Sequence, residues 1–262
     1  MAEDALPPLP RRPHNWLPVW VSMLAALLWL AIVDLDLSFE ALLYGFDDIA
    51  EYFGRYTAPA FSQLPRFVAL MAQTLATALW GTALSVAIAV PLAPLAARNL
   101  SPNRFTYHAA RGLLDVIRAM PDLLLALVFV AALGLGPLPG VLALGVHTAG
   151  VLGKFGAESM ERVDRGVYEA IAATGASRTQ QIMFAGWPSI LREMAGYTLF
   201  IFDRNVRMAS VLGLVGAGGI GLALHDTLRL FDYGQSAALI LLMLATIVAI
   251  DSVSSWARSR LR

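Results

Sequence analysis

Asp203, Arg204, Asn205 and Arg207 fall within five consecutive positions of a segment, 190–213, that is otherwise mostly apolar. A charged side chain at the centre of a bilayer costs ~2.5–3.5 kcal/mol on insertion scales, so by default it faces a cavity or a partner. Asp203 and Arg207 are four apart and can pair along one helical face. Arg204 has Phe200, Ile201, Arg207 and Met208 at the three- and four-residue spacings, and none of these is an acid. Its guanidinium is left as an unneutralised planar fork of donors, the shape that receives phosphate-like oxyanions. The chemistry on offer is anion recognition inside a hydrophobic medium. The competing reading is a bond to a helix elsewhere in the fold, or a side chain that reaches outward to water.

The remaining polar residues add less. Arg118, near Asp115 and Asp122, stands close to the end of another apolar segment and suits either the same anion or a lipid headgroup. His147 lies mid-segment, where a hydrogen-bonded packing role competes with a place on the same pathway. His14, His108 and His225 are scattered and there is no cysteine, so no metal site is expected and thiol chemistry is excluded. Gly216, Gly218 and Gly221 have the G-x-G-x-x-G spacing of dinucleotide folds, but no βαβ unit can be placed around them. With Gly219 they are expected instead to break a helix at its outer end and to help form a gate. The only Gly-Lys pair, Gly153-Lys154, is followed by Phe155 and has Thr148 where a P-loop needs glycine. Any ATP-driven work therefore draws its energy from another polypeptide.

These residues are carried by a chain of 262 residues that is 58% hydrophobic and 15% charged, against roughly 45–50% and 25% for soluble domains. The formal net charge is zero, so no global field draws nucleic acid, and none is expected as a partner. The composition and the uncharged runs predict an all-α membrane protein with six transmembrane helices, near 16–33, 67–97, 113–133, 140–157, 190–213 and 234–250. The first run, eighteen residues without a charge, would measure about 27 Å as a helix, close to the ~30 Å hydrocarbon core. Its length, and the lack of an A-x-A pattern before Asp34, favour a retained span over a cleaved signal peptide. Residues 1–15 read as a Pro-rich disordered tail. The span 67–97 is long or kinked, with Pro91 and Pro94 near its end, and GLGPLPG at 134–140 reads as a tight external turn. The stretch from 214 to 233 is expected outside.

Outside the spans, twelve basic residues (Arg11, Arg12, Arg98, Arg104, Arg111, Lys154, Arg162, Arg165, Arg178, Arg258, Arg260, Arg262) fall on one side and Arg55, Arg66 and Arg229 on the other. The positive-inside rule then places both termini in the cytosol. The acidic segment 34–66 lies outside. The chain divides into residues 1–66, holding the tail, first span and acidic segment, and a core of 67–262.

Glu169 to Pro188 is a polar island on the basic side. Val167, Ala170, Ile171 and Thr174 form one stripe of an amphipathic helix, which Gly175 ends. After Ala176, Ser177 and Gln180 make a capping box for a second helix, which Pro188 is expected to stop. Small and apolar side chains would face away from the membrane.

This island resembles the EAA loop of ABC importer permeases, with Glu169, Ala170, Gly175 and Pro188 at the family spacing and Ile171, Ala185 and Trp187 replacing its Ala, Ile and Leu. RAMPDLLLALVFV (118–130), HTAGVLGKFGAE (147–158), NVRMASVLGLVGAGGIG (205–221) and RLFDYGQSAA (229–238) narrow the resemblance to permeases of phosphonate ABC importers. The resemblance implies a type I importer fold like that of methionine permeases, in a bacterial cytoplasmic membrane. It also implies a homodimer, an extracytoplasmic substrate-binding protein, and a dimer of ATP-binding subunits that holds the ATP and Mg²⁺. This chain itself would then be non-catalytic and carry no cofactor. Within a coupling loop at 158–188, Val167, Glu169, Ala170, Ile171, Gly175, Ala176, Ser177 and Pro188 would transmit the ATPase stroke. Arg204, Arg207, Asp203, Arg118 and His147 would line a pathway worked by alternating access. An importer for an amino acid or a betaine, a passive channel and a membrane scaffold are the alternatives.

Overall fold

The computed structural model describes residues 16–34 and 39–261. The Pro-rich tail, Asp36 of the acidic segment and Arg262 of the basic cluster lie outside the described residues. Among the described residues all regular structure is helical. The chain divides into two units, residues 1–55 and 56–262. The first contains α1 (Leu17–Asp34) and α2 (Phe39–Gly54). Helix α1 is apolar around its whole circumference, which suits a span surrounded by lipid.

The second unit begins with α3 (Leu64–Ala96), 33 residues in one helix and so about 50 Å long. Its two prolines, Pro91 and Pro94, fall in the last turns, and the chain becomes extended at Ala97. The single long helix expected over this stretch is therefore present. Next comes α4 (Arg104–Ala119), capped by Asn103, whose side chain accepts from Thr106 N at 2.7 Å.

The single span expected at 113–133 is not what forms. Helix α5 (Asp122–Leu133) leaves α4 at an angle of 86°. Pro121 has no N–H to continue a helix and disfavours helical backbone in the residue before it, and Met120 is extended accordingly (φ −76°, ψ 123°). The turn expected at 134–140 is also shorter than its glycines and prolines suggest. Only Gly134 and Gly136 adopt positive φ, and α6 (Pro137–Arg162) starts with proline in its first turn, where no N–H is required.

Two short helices follow, α7 (Arg165–Ala173) and α8 (Arg178–Gln181). Pro188 does not stop the helix that begins at Arg178. A widened π turn over Ile182–Gly186 leads without a break into α9 (Trp187–Leu212). The proline ring would strike the carbonyl four residues earlier in a regular helix, and the wider turn gives it room. A second π turn at Gly213–Ala217 precedes α10 (Gly219–Arg229), bent back by 58° inside the stretch expected as external connection. Finally, α11 runs from Tyr233 to Leu261.

Helices α1, α3, α6 and α11 are each long and apolar enough to cross a membrane, and the two bent pairs raise the number to six. Helix α6 is the spine. A Cβ on its Gly150 would lie 2.8 Å from the Leu114 carbonyl and 2.9 Å from Arg118 N, so α4 packs backbone against backbone, as small residues permit in lipid. Two buried clusters flank it. Phe67, Met71, Leu144, Leu212, Ile220 and Leu239 fill the end where α9 turns into α10. Leu100, Leu114, Leu152, Met160 and Ile190 fill the end carrying α7 and α8.

Candidate functional site

The break between α4 and α5 sits beside the middle of α9. Arg204 projects from α9 to this break, with Nη2 3.5 Å from Asp122 Oδ2 and 3.1 Å from His147 Nε2. On the other side of the ring, His147 Nδ1 lies 2.8 Å from the carbonyl of Met120. A carbonyl only accepts and a guanidinium only donates. The imidazole that satisfies both carries its proton on Nδ1, donates to Met120, and accepts from Arg204 through Nε2. Asp122 is the first residue of α5, where the helix dipole favours a carboxylate, and its Oδ1 accepts from Leu123 N at 3.0 Å. Three residues from three helices thus hold one break in the backbone.

This corrects the reading of Arg204 as unneutralised and matches the competing one, a bond to a helix elsewhere in the fold. Its acid comes from 82 positions away in the chain, which helical spacing along α9 cannot reveal. The contact is nevertheless long for a charge-assisted bond, normally about 2.7–2.9 Å, and a third of the Arg204 side chain remains exposed. The Arg204 side chain is therefore only partly neutralised by Asp122.

Asp203 and Arg207 pair as their spacing predicts. Arg207 Nη1 donates to Oδ1 at 3.2 Å and Nη2 makes a shorter contact with Oδ2. Asp203 is almost wholly buried, whereas Arg207 is 44% exposed. Asn205, fully buried, donates to Thr82 Oγ1 at 3.0 Å and ties α9 to α3. Arg118 is not brought to this group. It lies on the outer side of α4, 3.7 Å from Asp115, whose nearer partner is Lys154 at 2.5 Å. Among the described residues, no group of three His, Asp or Glu side chains could hold a metal ion.

The glycines do break the helix. Gly216, Gly218 and Gly219 have φ of +99°, +76° and +70°. The turn they make is held by Gly136 N to Gly216 O at 3.0 Å and Ile220 N to Thr74 Oγ1 at 2.9 Å. Gly221 has ordinary backbone but no spare room, for a Cβ there would come within 1.9 Å of the Ser210 carbonyl.

At the opposite end, α7 and α8 form the expected helix, bend and helix. Asp164 caps α7 by accepting from Gly166 N at 2.8 Å. Gly175 turns the chain at φ +83°, and both halves of the Ser177–Gln180 capping box are present. The pair is pinned from below by residues that the stripe pattern missed. Tyr168 Oη donates to Met160 O at 3.1 Å, and Arg178 Nη1 donates to Ser101 O at 2.5 Å. Burial pushes the Tyr168 hydroxyl pKa up, so it remains a neutral donor. Pinned in this way, α7 leaves Val167, Glu169 and Ala170 exposed. Ile171, Thr174, Gly175, Ala176, Gln180 and Phe184 line a cleft beside them. Phe184 is 68% exposed.

Residues 89–262 match the family described as binding-protein-dependent transport system inner membrane component. The phosphite transport system permease protein PtxC of Stutzerimonas stutzeri is 38% identical over 221 residues, covering 84% of this chain and 80% of its own. The phosphate-import permease protein PhnE of Mycolicibacterium smegmatis is 40% identical over 190 residues, covering 72% of this chain but only 36% of its own. A solved structure of the MetNI methionine ABC transporter in inward-facing conformations superposes with a TM-score of 0.65 at 16% identity, covering 78% of this chain and 99% of that one. At that identity the likeness speaks for the fold alone, which is that of a type I importer permease. On up to six spans, two of them bent at a proline or at glycines, and a matched region covering most of the core, the chain belongs to the inner membrane component family of binding-protein-dependent transport systems.

Proposed function

We propose that this chain is the membrane-spanning subunit of an ATP-driven importer whose cargo is a small phosphorus oxyanion such as phosphite, a phosphonate or phosphate. The observation that carries this reading is 38% identity along most of the chain to a permease named for phosphite, joined to a guanidinium that points into a broken helix. Half-helices that end inside a membrane offer unpaired N–H groups and the positive end of a dipole to anions. Here Asp122 already occupies the start of α5, and the partly exposed side chain of Arg204 beside it is the donor left for cargo.

In this reading two copies of the chain enclose a pathway at their shared axis, with Arg204 and Arg207 near it and Asp203 and His147 holding them in place. The turn at Gly216–Gly221 forms the outer gate, where an extracytoplasmic binding protein delivers cargo. Helix α7 and the cleft at Ile171–Phe184 receive a separate ATP-binding subunit, which supplies ATP, Mg²⁺ and hydrolysis. Both termini and α7 face the cytosol. Closure of the ATPase pair moves α7, and cargo binds the two resulting conformations with different affinity.

Uptake of radiolabelled phosphite, methylphosphonate and phosphate by vesicles holding the full complex, with and without its binding protein, tests the reading. Replacing Arg204 by lysine keeps the charge and removes the planar fork, and the loss of about 1.5–3 kcal/mol for a charge-assisted contact should reduce uptake roughly 10- to 100-fold. Uptake equal to wild type in Arg204→Lys, or transport of none of the three ions, overturns it. Glu169→Lys and Gly175→Asp should leave ATP hydrolysis running while uptake stops, because the lever no longer seats.

A further inference from the structure

The first turns of α9 and the last turns of α11 border an open pocket of about 700 Å³ at the α7 end of the bundle. Arg192 and Arg258 both line it, with Glu193, Tyr197, Ser255 and Ser259. Neither arginine has an ion pair or hydrogen bond among the described residues, and Arg258 Nη1 is shielded from solvent without a partner. A buried donor left alone carries a desolvation penalty that only a partner recovers.

The charges already present do not supply that partner. Glu193, the acid on the wall, accepts from Arg162 Nη2 and from Tyr197 Oη, both at 2.6 Å. The end of α11 favours Arg258 through its dipole, but only with a fraction of a charge. Arg260, two residues on, is occupied otherwise, with its guanidinium 5.1 Å over the ring of Trp256. The exposed Trp256 marks the depth at which aromatic rings settle between lipid and water. The pocket therefore holds two unpaired planar forks and serine hydroxyls at headgroup level. Twelve positions along α9, about 18 Å, separate Arg192 from Arg204.

We propose that this pocket binds a phosphate-type oxyanion, gripped by Arg192 and Arg258. A phospholipid headgroup and a free oxyanion reaching this end of the bundle share that chemistry, and two measurements tell them apart. In the first, the purified chain, stripped of lipid in a neutral detergent, is dialysed against radiolabelled inorganic phosphate. In the second, the chain extracted gently from membranes is weighed intact to count retained phospholipids. Wild type should bind phosphate, or retain phospholipid, or both. Arg192→Gln and Arg258→Gln should each weaken the interaction at least about ten-fold, and Arg260→Gln should leave it unchanged. Retention without phosphate binding assigns the lipid, phosphate binding without retention assigns the free ion, and both together mean the two compete for one site. The proposal is overturned if wild type neither retains phospholipid nor binds phosphate up to about 10 mM. It also fails if the two glutamine variants match wild type, or if Arg260→Gln loses as much as they do.

Discussion

A carboxylate as deeply buried as Asp203 tolerates its place in α9 because Arg207 answers its charge. Arg207→Ala leaves that carboxylate alone in an apolar setting, and breaking a buried pair in this way costs about 3–5 kcal/mol. Because Arg207 is 44% exposed, water screens part of the pair and a cost of ~1–3 kcal/mol is expected. Asp203→Asn in the same molecule removes the stranded charge, so the double variant should melt above Arg207→Ala in detergent. A double variant that melts at or below the single one would show that the two side chains act independently. This pair was legible in the sequence because partners four apart on a helix meet wherever the helix goes. The neighbouring Arg204 was not. Its partners His147 and Asp122 come from α6 and α5, and no local spacing reports contacts made by folding.

At the scale of elements, the same contrast separates caps from kinks. The Ser177–Gln180 box and the turn at Gly175 depend on backbone groups within a few residues, and both formed as read. The fate of Pro188 depended on whether the helix before it could widen, whereas the bend at Pro121 follows from the proline itself and the extended Met120 before it. The fold of α10 against α9 turns on Gly221, whose missing Cβ lets it approach the Ser210 carbonyl and Gly213 Cα. Gly221→Ala would bring methyl against backbone, which no rotamer change relieves, so the re-entrant pair should separate and the chain should elute as aggregate in size-exclusion chromatography. Gly112→Ala is the matched control, for a Cβ there meets nothing within 4 Å, and inside a helix it should stabilise by about 0.5–1 kcal/mol. Equal behaviour of the two variants would remove Gly221 from the packing of α10.

For the molecule as a whole, the expected topology turns on helix α9. Its 26 residues measure about 39 Å, more than the ~30 Å hydrocarbon core, which is long enough for its two ends to reach opposite faces of the membrane. Arg98 and Arg104 line one cleft with Ser101, to which Arg178 donates, at the end with α7, whereas Arg66 lies beside Gly218 and Gly219 at the glycine end, and the orientation expected from the positive-inside rule puts the more basic end in the cytosol. This asymmetry is a property of the whole chain, which is why it could be read from sequence even where individual helix limits could not. The sequence contains no cysteine, so a single introduced thiol has no background. Val167→Cys on α7 and Leu230→Cys after α10 are suitable probes, being 40% and 77% exposed respectively. A membrane-impermeant maleimide should label Leu230→Cys from the outer face of intact spheroplasts and Val167→Cys only in inverted vesicles. An ATP-binding subunit docked on α7 should shield Val167→Cys and leave Leu230→Cys reactive. Labelling of both thiols from one face would mean that α9 does not cross the membrane, and α7 would then have no route to move the gate above it.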